Sequence, residues 1–518
     1  MSAHSASIAT GMILGVEAVP ITVEATARGA SDGTPRILGL VDATVREAYH
    51  RVLNAFHALD LPSPRGVTTV NFAPSSLRKH GAGFDLPLAL ALASAAGLFG
   101  PERTRSLYAY GELSLRGELL PARGAACVAL MALRAAGEEP PTLLCSLEDA
   151  ASCQGIDGIT VQGAATLADA LYWLSGQREL PRTPAAEPRP APACADLEEV
   201  RGHATGKRAL TVAAAGGHNL LFLGPPGSGK TALCRRMPGL LPRPGTAEQL
   251  EILQIHTAAG QQQLPHARPF RAPHHSSSSA SLLGGGHELR PGEVSLAHRG
   301  ILFLDELPEF RRDALEALRQ PLEDGHVTVG RARQVLMMPA LFTLIAAMNP
   351  CPCGFHGHPS RPCTCTPAAL KRYQGRLSGP LLDRLDLQVE VPALDPKVLR
   401  QPADPEWSTQ RLRARVLAAQ DRQLARNGTD GRTPVTNARL ADRQLAQACA
   451  IDSKVEDVLE EVLRLHRQGG RARVRLLRVA RTLADLNERD RIAATDILEA
   501  ASLRGFARNH QIAAGSSR

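Results

Sequence analysis

The chain has 518 residues, room for two to four domains, with a formal net charge of +8 and a pI near 9.1, a balance that suits an anionic partner such as nucleic acid. Aromatic residues make up only 3%, which excludes extensive base stacking as the main mode of binding, and ten cysteines in a chain this long do not form a disulfide scaffold. Met1–Ser5 lacks the basic start and apolar core of a signal peptide, and apolar runs such as Leu86–Phe99 are too short and Ala-rich to span a bilayer, so a soluble cytoplasmic protein without a membrane partner is expected.

Residues 1–175 read as a first, mixed α+β unit. Ile21–Ala25 and Gly66–Asn71 are rich in β-branched residues and predict strands. Asp42–Leu59 has helical spacing, with Val45, Ala48, Val52 and Phe56 on one face. Leu86–Leu98 predicts a buried helix, and Gly111–Leu120 a hairpin turning near Arg116-Gly117. The sequence around Lys79-His80-Gly81-Ala82-Gly83 and the Gly111–Gly124 hairpin resembles the protease domain of Lon, whose chemistry needs a Ser/Lys dyad. In a gap-free comparison the serine position falls on Gly83 and the lysine position on Ala126. The resemblance therefore implies a Lon-like fold without peptidase activity.

Residues 176–195 are a Pro/Ala-rich linker, with Pro181, Pro184, Pro188, Pro190 and Pro192 among Ala, Arg and Glu. Asp196 fits a helix N-cap ahead of Leu197–Val200 and opens a second domain, 196–395. There the apolar run Leu220–Leu223 leads into Gly224-Pro225-Pro226-Gly227-Ser228-Gly229-Lys230-Thr231, the phosphate-loop pattern, with a helix-compatible run after it. Its glycines let successive N–H groups face phosphate oxygens, and a helix start adds positive potential. Lys230 is expected on the β- and γ-phosphates of ATP and the Thr231 hydroxyl on Mg²⁺. Ile301–Leu304 is an apolar strand delivering Asp305, to hold Mg²⁺ through water, and Glu306, to polarise the attacking water.

Gly325–Met338 predicts a hairpin with Val327 and Val329 on one arm and Arg331 and Arg333 near the turn. Those arginines are either DNA-phosphate contacts in the channel of a ring or solvated charges on an exposed turn. The strand Phe342–Met348 ends at Asn349, a candidate sensor of the γ-phosphate. Cys351, Cys353, Cys363 and Cys365 follow as C-x-C-x₉-C-x-C; four thiolates could bind Zn²⁺ tetrahedrally, with His356 or His358 as substitute ligands, and the alternative is reduced cysteines in a Gly/Pro loop. Arg384, in Ser378–Asp386, is either an arginine finger or one half of a surface pair with Asp383 or Asp386. Residues 396–518 form a C-terminal helical domain, in which Arg471 precedes a helix predicted over Leu476–Leu486.

Taken together, these residues resemble the AAA+ ATPases of the magnesium-chelatase-like group, specifically the ComM/YifB family, over almost the whole chain. The most specific segments are Gly216–Asn219 running into the loop, Phe270–His275, Arg290–His298, Phe303–Phe310, Asn349–Gly354 and Arg478–Thr482. The resemblance implies an α/β AAA+ core with a helical lid, behind a Lon-like α+β domain. It also implies a hexamer holding ATP between subunits, and helicase or branch-migration activity on single-stranded or branched DNA in recombination, as in natural transformation. It makes Arg384 a finger acting on a neighbour's ATP and Arg471 a second sensor, although Gly469-Gly470 stands before Arg471 where Ser-Ala is expected. Two other functions compete: a chelatase-like chaperone acting on a protein partner, and a non-enzymatic scaffold using ATP as a switch. Intact Lys230, Asp305, Glu306 and Arg384 argue against the scaffold.

Overall fold

β1 (Ser5–Leu14) and β2 (Glu17–Arg28) form a hairpin closed by Gly15-Val16, in register from Ser5↔Thr26 to Leu14↔Glu17. With β3 (Arg36–Leu38), β4 (Val67–Ala73) and β5 (Leu107–Ala109) they build one large sheet, while β6 (Glu112–Leu113) and β7 (Leu119–Leu120) form the short hairpin expected there. β8 (Thr142–Ser146) and β9 (Thr160–Ala164) complete seven strands in the order β3-β4-β2-β1-β5-β8-β9. The helix Ala43–Ala58 is capped by Asp42, which accepts from the Val45 N–H at 2.9 Å, and buries the four residues that its spacing predicts. The helix Asp85–Ala95 is buried at every position, which is why it lacks a polar face. The protein is seen here as a computed structural model that describes residues 5–28, 35–62, 67–185, 194–261, 267–286, 289–331, 334–358, 360–430 and 433–505.

The first part of the linker stretch packs: Leu180 rests on the amino-terminal core and Thr183 is buried. After Asp196 the chain makes a single 3₁₀ turn, Leu197–Glu199, rather than an α-helix; Asp196 accepts from the Glu198 N–H at 2.9 Å.

The second sheet is parallel throughout. It contains β10 (Leu220–Leu223) and β11 (Phe270–Arg271); a two-residue pair, β12 (Gly284–Gly285) with β13 (Arg290–Pro291), stands apart from it. β14 (Ile301–Leu304) follows, then the separate hairpin β15 (His326–Arg331) and β16 (Gln334–Pro339). β17 (Thr343–Met348) and β18 (Leu387–Glu390) complete the order β11-β14-β17-β10-β18. Side chains alternate between two cores, as the pleat requires. Leu220, Phe222, Ile301, Phe303, Ile345 and Ala347 face one, and Leu221, Leu302, Leu304, Leu344 and Ala346 face the other. Burial on both faces explains strands that read as unbroken apolar runs.

The helices Thr409–Asn427, Ser453–Leu465, Gly470–Leu486 and Ala494–Leu503 share the first of these cores. The third of them begins at Gly470, so Arg471 lies in its first turn rather than ahead of it. A third apolar cluster joins the amino-terminal unit to the second. Across it, Gln254 Nε2 donates to the Val16 carbonyl at 2.8 Å, and Met338 of β16 packs where a side chain on Gly15 would stand. All ten cysteines are free thiols. Among the described residues, no helix is long and apolar enough to cross a membrane.

Candidate functional site

Three parallel strands end side by side. The register pairs Leu223 with Met348 and Leu304 with Ala346, so the residues that follow β10, β14 and β17 emerge at one edge of the sheet. The loop after β10 turns through Gly229, whose φ of +89° a side chain would strain, into the short helix Lys230–Cys234. Lys230 Nζ donates to the carbonyls of Gly224 and Pro225 at 2.7 and 2.8 Å, and to Asn349 Oδ1 at 3.2 Å. Burial pushes its ammonium below the usual lysine range, and the carboxylate of Asp305 partly offsets this. The Thr231 hydroxyl donates to Asp305 Oδ2 at 2.8 Å, so a hydroxyl and a carboxylate face the same opening. Oxygen donors of this kind suit a hard cation such as Mg²⁺.

Glu306 takes the left-handed conformation, φ +52°, and leaves its carboxylate half exposed. His275 Nδ1 lies 3.5 Å from Glu306 Oε2, and the His274 ring lies 4.1 Å from the His275 ring at a tilt of 34°. The sequence reading includes this histidine pair in Phe270–His275 without giving it a role; it follows β11, whose pairing with β14 sets it beside the acidic strand. Tyr373 is a second missed contributor: its hydroxyl faces the Asn349 backbone, and nothing in its local sequence marks it.

Thus Gly224–Thr231, Asp305, Glu306 and Asn349 come together. Arg384 and Arg471 do not join them. β18 pairs with β10 from Leu220↔Leu387, so Arg384, three residues before Leu387, stands at the opposite edge of the sheet. Four residues of strand separate the two edges by roughly 13 Å. The Arg384 guanidinium pairs with neither Asp383 nor Asp386 but with Glu323, and Nη1 donates to the Pro380 carbonyl at 2.7 Å. Its backbone is fixed by Asn219, which donates to the Arg384 carbonyl at 3.0 Å and accepts from the Leu344 N–H at 2.8 Å. The hydrogen bond from Arg384, with the charges of Arg471 and Arg319 behind it, holds Glu323 below the usual carboxylate range. Arg471 is exposed and, among the described residues, has no ion pair. A cation in the first turn of a helix opposes the helix dipole, so its placement does not serve helix stability.

The four sulfurs of Cys351, Cys353, Cys363 and Cys365 lie within 4.8 Å of one another, on the loop that follows Asn349. Arg333 lies outside the described residues, as does the Arg331 side chain; the backbone of Arg331 pairs with Gln334 at the end of the hairpin. In the amino-terminal unit, a Cβ on Gly83 would stand 2.2 Å from the Tyr110 ring, whose hydroxyl donates to the Arg123 carbonyl at 2.6 Å. Tyr110 thus fills the place a nucleophile's side chain would need, and Ala126 is fully buried.

Three family models match the chain. One described as magnesium chelatase, subunit ChlI, covers residues 196–399; a model of subunit ChlI of Mg-chelatase covers 23–140; and a ChlI C-terminal model covers 406–504. The chain is 40% identical over 513 residues to an uncharacterized protein YifB of Salmonella typhimurium, with 97% of each chain covered. It is 39% identical to YifB of Escherichia coli over 96% of this chain and 97% of the relative. It is also 38% identical to the competence protein ComM of Haemophilus influenzae, over 96% of each. Near-complete coverage by these relatives, and family models spread from residue 23 to residue 504, lead to one assignment: the chain belongs to the magnesium-chelatase-like ComM/YifB family.

Proposed function

We propose that this protein is an AAA+ ATPase that assembles into a hexameric cytoplasmic ring and moves single-stranded or branched DNA, as a helicase or branch-migration motor, during homologous recombination such as natural transformation. The observation that carries the reading is the division of the nucleotide machinery between two edges of one sheet. Lys230, Thr231, Asp305, Glu306 and Asn349 occupy one edge, and Arg384 and Arg471 the other. A pocket divided in this way is completed by the neighbouring subunit. Arg384 then acts as the finger that stabilises charge on the transferring phosphoryl group, and Arg471 as its companion.

Within each pocket, Lys230 turns from the loop carbonyls to the β- and γ-phosphates of ATP. Thr231 and Asp305 hold Mg²⁺, which neutralises phosphate charge when bound. Glu306 accepts a hydrogen bond from the attacking water and Asn349 orients it. The amino-terminal unit is a Lon-like domain without peptidase activity, and the helices after residue 396 are the lid. The DNA assignment is supported by the net charge of +8 and by the similarity to a competence protein.

The test is ATP hydrolysis by the full chain with and without single-stranded and branched DNA. Stimulation by DNA that is lost in Glu306→Gln supports the motor. Hydrolysis without any DNA binding at low salt would shift the assignment to a chelatase-like chaperone acting on a protein partner.

A further inference from the structure

We propose that Cys351, Cys353, Cys363 and Cys365 bind one zinc ion, and that the filled site braces the nucleotide pocket; the second half rests on the ATPase reading above. The sulfurs are already arranged for a metal. Cys351 Sγ lies 3.4 Å from Cys353 Sγ and 3.7 Å from Cys363 Sγ, and Cys353 and Cys363 are 3.5 Å apart. A tetrahedron of thiolates around zinc, with bonds near 2.3 Å, puts its sulfurs about 3.8 Å apart. A disulfide needs about 2.05 Å, so these are not oxidised pairs. Backbone N–H groups point at the sulfurs as well: Cys353 N–H at Cys365 Sγ, 3.4 Å, and His356 N–H at Cys351 Sγ, 3.3 Å. Such donors stabilise thiolate charge and orient the ligands. An all-sulfur tetrahedral set selects zinc or iron over hard cations.

The brace follows from what the loop touches. Cys351 is fully buried and stands two residues after Asn349, the partner of Lys230. A Cβ on Gly354 would fall 2.4 Å from Pro226 Cδ, so the cysteine loop lies directly against the nucleotide loop. Pinning Cys351 and Cys353 to an ion therefore fixes both the carbonyl oxygen of the Asn349 side chain and the outer wall of Gly224–Thr231. With the ion removed, about fifteen residues from Cys351 to Cys365 lose their crosslink, and the wall has no fixed backing.

The full-length chain, purified without chelator, is expected to carry about one zinc per chain by elemental analysis. Exchange for cobalt is expected to give the absorption bands of tetrahedral thiolate coordination. Cys363→Ser/Cys365→Ser should lose the metal and bind a fluorescent ATP analogue about tenfold more weakly. Because that variant is open to misfolding, wild-type protein stripped with a strong chelator and refilled with zinc chloride should show the same loss and its recovery. Gly354→Ala should keep the zinc and still weaken nucleotide binding, since it presses on Pro226. Protein without zinc or iron that takes up no cobalt overturns the metal site, and iron in place of zinc overturns its identity. Stripped protein with unchanged nucleotide affinity overturns the brace. If wild-type protein binds no nucleotide at all, the ATPase reading falls and the brace with it, while the zinc count still decides the metal site.

Discussion

Glu323 holds the Arg384 guanidinium at the edge of the parallel sheet opposite Lys230. An arginine so placed cannot serve its own chain's nucleotide. Arg384→Ala should therefore lower hydrolysis about a thousandfold while leaving ATP affinity of the isolated chain intact. The decisive measurement mixes two inactive proteins. Arg384→Ala keeps a complete Glu306 edge, and Glu306→Gln keeps a complete Arg384 edge, so the proposed ring, if mixed, would contain some whole pockets. Phosphate release should reappear on mixing; two proteins that stay inactive together would refute completion by the neighbour.

Changing Arg331 and Arg333 together to Ala should weaken DNA binding and spare basal ATP hydrolysis. If both touch phosphates, the slope of log affinity against log salt falls by about 1.8 for each engaged subunit on duplex DNA. Titration at several salt concentrations reads this directly. An unchanged slope would remove the hairpin from the DNA path.

Gly83→Ser restores one of the two side chains a Ser/Lys dyad needs, with Ala126 still in the lysine's place, and its Cβ meets the Tyr110 ring. The expected result is a loss of about 1–3 kcal/mol in stability and no gain of proteolysis. Casein digestion with ATP, alongside thermal melting, checks both halves; active cleavage by this variant would show that the cleft is intact.

Asp149 carries a stability cost that depends on pH. Burial pushes its carboxyl up to about 7, against hydrogen bonds from the Ala122 N–H and the Ser146 hydroxyl, while its Oδ1 has no partner among the described residues. The folded value lies above the unfolded one. The stability it contributes is thus fully present below the ordinary carboxylate range and is lost as pH rises toward 7. Over that window the loss is on the order of 2–4 kcal/mol. Asp149→Asn keeps the acceptor and abolishes the titration. Its melting temperature should be flatter than the wild type's between pH 4 and 8, and parallel curves would refute the assignment.

Much of the candidate site's edge was legible because strands buried on both faces admit no polar residue. Leu220–Leu223, Ile301–Leu304 and Thr343–Met348 stand out as apolar runs, and the polar residues ending them fall at one sheet edge once the strands are parallel. What could not be read was anything set by pairing at a distance. The side of the sheet that Arg384 occupies depends on Leu220↔Leu387, and its partner Glu323 sits 61 positions away. The Tyr110 plug beside Gly83 is likewise a long-range contact. Gly469-Gly470 reads as a break, yet the helix starts there: Gly469 takes the extended cap conformation, so Arg471 gains a helical position that local propensity denies it.

The apolar contact of Met338 and Leu336 with the Gly15 turn has a mechanical consequence. The backbone pair Arg331–Gln334 ends a lever whose return strand is clamped by the β1–β2 turn. Any stroke of that lever must either carry the whole seven-stranded slab along or slide apart an oily joint. The amino-terminal unit is therefore geared to the hairpin, and a hinge cut into the Gly15 turn would let the tip swing without its load.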